Sequence, residues 1–337
     1  MQSRNVAAIL AAAVVGVTVG LVWRPRYAAH EATPQVATAP ETIGARHAGD
    51  DTYALPDFDA EVAMYDQPQL VNEALEKVTP QTPGSVDLYV IVFAGDGSQN
   101  VFRNEAEYAQ HLFERRFDAA GHVIVLENNP AMVASRPLAT LTNLIWVLDA
   151  FAAKMDRKED VLLLYLTSHG SEDHELLVDL DPLPLDQITP ADLADALHTD
   201  PPVHWKIVVV NACYSGGFID ALRSDSTMII TSARADRPSF GCGDDSDITW
   251  FGKAFLVQAL NRTTSLRAAF DIAKRSIAEW ETVAHDEPSE PQIASAPAID
   301  AQLARWRAQL KPGPAVEFTP IARKASDPVG GAPAARN

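Results

Sequence analysis

The sequence predicts an α/β domain built on a mostly parallel sheet of about six strands, with helices on both faces. Three observations carry this prediction. The runs 87–94, 161–167 and 206–212 are nearly continuous in Val, Ile, Leu, Phe and Tyr, the pattern of strands buried on both faces. Amphipathic stretches separate these runs, and repeated strand–helix alternation produces parallel sheets with crossover helices. Finally, 47% of the 337 residues are apolar, enough for one large core.

The elements follow in order. Residues 57–78 carry a helical pattern, clearest at 68–78, and the Pro/Gly-containing stretch 79–84 breaks it. The first strand, 87–94, runs into Gly95, Asp96, Gly97 and Ser98. Ala106, Ala109, Leu112 and Phe113 then mark one face of a helix over 103–117. A short strand at 122–126 and a helix at 136–154 precede the strand 161–167, which leads to His169. Residues 175–179 read as a small extra strand. Thr189 followed by Pro190 is a helix start, giving a helix over 189–197. The strand 206–212 delivers Cys213, and Gly216 and Gly217 open the next helix, 217–223. A strand at 228–232 and helices at 250–260 and 265–281 complete the pattern. From Lys311 the chain is rich in Pro, Ala and Gly and reads as disordered.

The resulting organisation has four parts: a signal anchor or signal peptide at 1–29, a tether and helical lead-in at 30–84, the α/β domain at 85–285, and a partly disordered extension at 286–337. Residues 6–23 are apolar and uncharged, preceded by Arg4 and followed by Arg24 and Arg26. That length is near the lower limit for crossing a bilayer and long for a signal-peptide core. Either reading puts the domain outside the cytoplasm, membrane-anchored or exported to the periplasm or medium.

A net charge of −18, from 45 acidic and 27 basic residues, argues against a nucleic-acid partner, which would require a basic stripe. Two cysteines, Cys213 and Cys242, exclude a disulfide scaffold. A bridge between them would consume the more interesting thiol.

That thiol stands just past the end of one buried strand, and His169 just past the end of another. Ligand sites of open parallel sheets form beyond the carboxyl ends of the strands. A thiol and an imidazole delivered there make a nucleophile and a general base. Cys213 is the candidate nucleophile, and the glycines after it let substrate approach the backbone. The N–H groups of Gly170 and Cys213 are placed to hold an oxyanion. Asp96 could orient His169 electrostatically, although an Asp-Gly pair is first of all turn chemistry. No metal or organic cofactor is required. The segment with His169, Glu172, His174 and Glu175 lacks the zinc-peptidase helix spacing, and the acids around Asp247 lack the calcium-loop pattern.

The blocks LTSHG (166–170) and VNACYSGGF (210–218), in that order, resemble the legumain-type cysteine peptidases of family C13. The block VIVFAGDGSQNVFRNEA (90–106) is similar to that family's first-strand block, and TSARADRPS (231–239) to the one after the next strand. The resemblance implies a caspase-like three-layer α/β/α sandwich and cleavage of protein or peptide substrates. It makes Cys213 the nucleophile, His169 the general base and then acid, and Gly170 with Cys213 the oxyanion hole. It also implies a primary specificity (S1) pocket for Asn or Asp, with Arg103 as its arginine and Ser232 near another pocket position. Two departures stand out. Asn211 replaces the acid that legumains carry two residues before the cysteine. Asn100 matches the family's histidine-orienting asparagine only if one residue is inserted in this loop. A transamidase using the same dyad, or a non-catalytic caspase-like binding module, remains an alternative to the peptidase, and the sequence leaves the oligomeric state open.

Overall fold

In the computed structural model, residues 58–321 are described, apart from 200, 244 and 245. The expected anchor and most of the tether lie outside the described residues. No helix among the described residues is long and apolar enough to cross a membrane.

A six-stranded sheet in the order β2-β1-β3-β4-β5-β6 forms the middle layer. Its strands are β1 (Leu88–Ala94), β2 (Val123–Glu127), β3 (Val161–Thr167), β4 (Trp205–Asn211), β5 (Thr227–Thr231) and β6 (Gln292–Ala294). The first five are parallel, and β6 runs antiparallel to β5. Burial on both faces explains the apolar runs. In β3, Val161, Leu163 and Tyr165 point into one core, while Leu162, Leu164 and Leu166 point into the other.

Helices cover both faces. One core receives α3 (Asn100–Arg116), α7 (Trp250–Gly252) with the π-helical turn that continues it (Lys253–Ala259), α8 (Leu266–Ala284) and α9 (Pro297–Gln309). The other receives α2 (Gln67–Glu76), α4 (Leu141–Lys154), α5 (Pro190–Ala196) and α6 (Ile219–Leu222). A short α1 (Ala60–Tyr65) precedes α2. Thr189 caps α5 in a reciprocal box with Asp192, so the Thr-Pro start signal has a physical basis. The lead-in helix α2 is fastened by Gln67, whose side-chain oxygen accepts from Leu138 N and Asn143 Nδ2 at 2.7 and 2.8 Å.

The structure corrects three expectations. Residues 175–179 are not a strand of the sheet. They cross its carboxyl edge, with Leu177 N bonded to His169 O and Asp179 N to Gly95 O. The sixth strand instead comes from 292–294, inside the segment read as an extension. Residues 311–321 are not loose, because Val316 N bonds to Asn261 Oδ1, Phe318 packs edge-on to Tyr108, and Ile321 N bonds to Asn104 Oδ1. β6 is short and half-buried, and α9 has only a weak apolar stripe, so neither announces itself in the sequence.

Within the extension, α9 is part of the core. Ile299, Leu303 and Trp306 are buried on the α3/α8 side, and Trp306 stacks on Phe117 at 6.1 Å. Trp306→Ala should therefore cost about 3–5 kcal/mol, measured by urea unfolding. A loss below about 1 kcal/mol would show that α9 only rests on the surface.

Candidate active site

Register decides where the two reactive side chains fall. β3 and β4 pair in parallel with Thr167 opposite Asn211. His169 and Cys213 each lie two residues beyond that last pair, so adjacent strands deliver them side by side. The strand order reverses between β1 and β3, and the loop after β1 joins them at the same edge.

Gly170 closes the distance between the two strand ends. A Cβ on it would collide with the carbonyl oxygen of Cys213, so only glycine permits this approach. Tyr214 follows Cys213 in the left-handed region, at φ 56°. Holding a non-glycine residue there costs about 1–3 kcal/mol. Tyr214 N donates to Arg237 O at 2.8 Å, which fixes the turn as the chain enters a 3₁₀ segment, Ser215–Phe218.

Ser239 N donates to the Cys213 sulfur at 3.2 Å, the Ser239 hydroxyl lies 3.7 Å away, and the Cys242 side chain stands beside it. The Cys242 contact is the largest cause lowering its pKa. Burial opposes it, and Ser239 and the His169 charge add to it, bringing the thiol down to about 6. The proton is correspondingly held on Cys242, whose pKa is pushed up by the same contact and by burial. These contacts favour the Cys213 thiolate, the nucleophilic form.

His169 is oriented from the β1 loop. Its Nε2 lies 2.9 Å from Gln99 Oε1 and 3.5 Å from Asp96 Oδ2. An amide oxygen only accepts, so Nε2 carries the hydrogen in the neutral ring and Nδ1 is left as the base. Phe102 meets the imidazole edge-on at 5.1 Å. Gln99 is the N-cap residue of α3, but its side chain makes no cap bond and reaches the imidazole instead. Asp96 performs both tasks considered for it, since its Oδ1 accepts from Ser98 N at 2.7 Å while Oδ2 faces His169.

The remaining site residues expected from the resemblance go elsewhere. Asn100 is not the orienting residue, because its Oδ1 accepts from Asn129 Nδ2 at 3.2 Å. Asn211 and Ser232 are 2% and 1% exposed. The Asn211 amide donates to Glu105 Oε1 at 2.7 Å and Thr249 Oγ1 at 2.8 Å, and Ser232 Oγ clips the backbone N and O of Ala212. Both are structural supports under Cys213 and do not line a pocket. Arg103 retains some exposure, but its Nε faces Glu127 at 3.7 Å and its Nη1 lies 3.5 Å from Asn129 Oδ1. Glu127 is fully buried, and burial raises its pKa to about 7 against the opposing charges of Arg136 and Arg103.

The sequence reading overlooked Gln99, Ser239, Cys242 and Glu105. Only Cys242 left a signal, as the one other cysteine. Among the described residues, no group of three or more His, Cys, Asp and Glu side chains is placed to hold a metal ion.

Two outcomes follow from this geometry. Alkylation of Cys213 by iodoacetamide should reach half its maximal rate near pH 6, instead of the ordinary thiol value near 8.5. The rate should fall about tenfold per pH unit below that midpoint, as the thiolate is protonated. Site-resolved mass spectrometry measures it, and a midpoint above 8 would contradict the contacts described. Gln99→Ala should lower kcat about 10- to 100-fold with KM within about twofold, because it releases the imidazole and leaves binding intact. Equal losses in KM would point to a structural role.

Residues 148–298 match the Peptidase C13 family model. Among curated proteins, none matches the sequence. Among solved structures, caspase-1 from Spodoptera frugiperda matches with a TM-score of 0.42 and 14% identity, over 64% of this chain and 92% of that one. The family match begins after the β1 loop and α3, so Asn100 and Arg103 lie outside it. The stretch that carries both His169 and Cys213 is thus similar to a cysteine-peptidase family.

Proposed function

We propose that the protein is a cysteine endopeptidase in which Cys213 and His169 form the catalytic dyad. The observation that supports this reading is the β3–β4 register, by which Cys213 and His169 each follow the last paired residues by two at the carboxyl edge of the sheet. The Cys213 thiolate attacks the scissile carbonyl carbon and forms a tetrahedral oxyanion, which the N–H groups of Gly170 and Cys213 stabilise. His169 Nδ1, protonated at this stage, gives its proton to the leaving amine as the C–N bond breaks. An acyl-thioester remains. His169 then takes a proton from water as it attacks, and the thiolate is expelled.

Of the three residues proposed for the S1 pocket, only Arg103 retains exposure. Selectivity for Asn or Asp before the scissile bond would therefore rest on its guanidinium fork, which suits an amide or carboxylate oxygen. From the apolar stretch 6–23 we place the domain outside the cytoplasm, anchored or exported.

Cys213→Ala should lower peptide cleavage by at least about 10³-fold while leaving the unfolding midpoint unchanged. Undiminished cleavage would rule out the mechanism. A peptide library varied at the residue before the scissile bond, run on wild type and Arg103→Ala, tests the pocket. A preference for Asn or Asp that disappears in the variant supports Arg103, and an unchanged profile removes it. Adding a primary amine and analysing products by mass separates hydrolysis from transamidation.

A further inference from the structure

The chain has two cysteines, and the fold brings both to one place. The loop after β5 carries Ser239 onto the Cys213 sulfur, with Ser239 N at 3.2 Å and Ser239 O at 3.5 Å. Three residues later the same loop presents Cys242. Its path is fixed just before that cysteine. Trp250 N bonds to Phe240 O at 3.0 Å, and Gly241, at φ 79°, is so close to Trp250 that a side chain there would collide with the indole. Beyond the loop, Thr249 is tied to Asn211, two residues before Cys213, at 2.8 Å. The Cys242 thiol, partly buried and packed against the core, is thereby held beside the Cys213 sulfur.

We propose that Cys242 is a resolving cysteine and that Cys213 and Cys242 form a reversible disulfide when the enzyme meets a peroxide. In the first step the Cys213 thiolate attacks one oxygen of hydrogen peroxide. An S–O bond forms, the O–O bond breaks, and hydroxide leaves, so that the sulfur is oxidised by two electrons to a sulfenic acid. In the second step the Cys242 sulfur attacks the sulfenic sulfur. The S–S bond forms, the S–O bond breaks, and the hydroxyl leaves as water, taking up the Cys242 proton. Overall, two thiols and one peroxide give one disulfide and two waters. A disulfide needs its sulfurs about 2 Å apart, closer than two unbonded thiols. The approach falls to Cys242, which is followed by the flexible Gly243.

The consequence is protective. An isolated sulfenic acid is oxidised further to the irreversible sulfinic acid, whereas a disulfide is returned to thiols by a dithiol. Cys242 would thus hold the nucleophile inactive but recoverable. The proposal rests on the reading of Cys213 as an activated thiolate, and it does not depend on the substrate.

The test treats the reduced full chain, and a Cys242→Ser variant, with a small molar excess of hydrogen peroxide. Non-reducing peptide mapping by mass spectrometry then follows both proteins. For wild type the expected result is a peptide pair cross-linked through Cys213 and Cys242. Labelling by a peptidyl electrophile should be lost with it and restored by dithiothreitol. In Cys242→Ser the same exposure should yield Cys213 sulfinic acid, with labelling that dithiothreitol does not restore. Wild-type Cys213 that goes to sulfinic acid without a cross-link, at the rate of the variant, overturns the proposal, and so does a wild-type Cys213 that resists peroxide. Because mapping reads the cross-link itself, it stands apart from the peptidase reading, which fails only if reduced wild type does not label at Cys213.

Discussion

One buried carboxylate, that of Glu105, holds the site together from beneath. It is fully buried on α3 and accepts from the Tyr165 hydroxyl of β3 at 2.8 Å and from the Asn211 amide of β4 at 2.7 Å. It also accepts from the Thr249 hydroxyl at 2.6 Å and the Thr249 N–H at 3.3 Å, where α7 begins. An unpaired buried charge would cost several kcal/mol, so all these donors must be in place for the fold to close. Two of them stand on the strands that end in His169 and Cys213. The carboxylate therefore fixes the two strand ends relative to α3, and α3 fixes Gln99 at its own start. Gly252 follows from the same constraint, because a Cβ there would collide with a Glu105 carboxylate oxygen.

This network changes the meaning of Asn211. By resemblance, an asparagine in place of an acid weakens the case for an asparagine-reading pocket. In the structure the position is buried, and its amide is spent on Glu105 and Thr249. An acid at 211 would put a second carboxylate against Glu105, and like charges at that distance in a dry site repel strongly. Asparagine is what a buried carboxylate on α3 requires of its neighbour. The substitution at 211 and the glutamate at 105 are thus one feature, and it concerns the support of the site more than its selectivity.

The sheet and the placement of His169 and Cys213 at its edge were legible in the sequence for the same reason. A strand covered on both faces admits no polar residue until it leaves the sheet, so the first reactive side chains after 167 and 211 mark the carboxyl edge. What was not legible depended on contacts between distant segments. Gln99 and Asn100 are adjacent at the start of α3, and only the exact position of that start decides which one reaches the imidazole. Glu105 sits in a polar helical stretch and reads as a solvated face until its three partners are brought to it. β6 and α9 escaped because a three-residue edge strand and a weakly striped helix carry no strong pattern, although Trp306 lies in the core. Arg103 was read as a pocket residue, and the buried Glu127 that faces it comes from β2, a strand whose sequence gives no hint of that pairing.

Chemistry and selectivity are built here from different materials. Cys213, His169 and Gly170 follow the ends of strands whose register is locked by two cores, so their placement tolerates little variation. The groups that set the thiolate's reactivity come from a loop, 239–242, that is tied down at discrete points. The contact that contributes most to lowering the Cys213 pKa is the one with Cys242, and a low thiol pKa means a thiolate that peroxide attacks readily. Activation and vulnerability thus have a single physical cause. A lone activated cysteine would carry the second without remedy. Placing the activating group on another thiol joins the remedy to the cause, since the side chain that polarises the nucleophile is also the one within reach of its oxidised form.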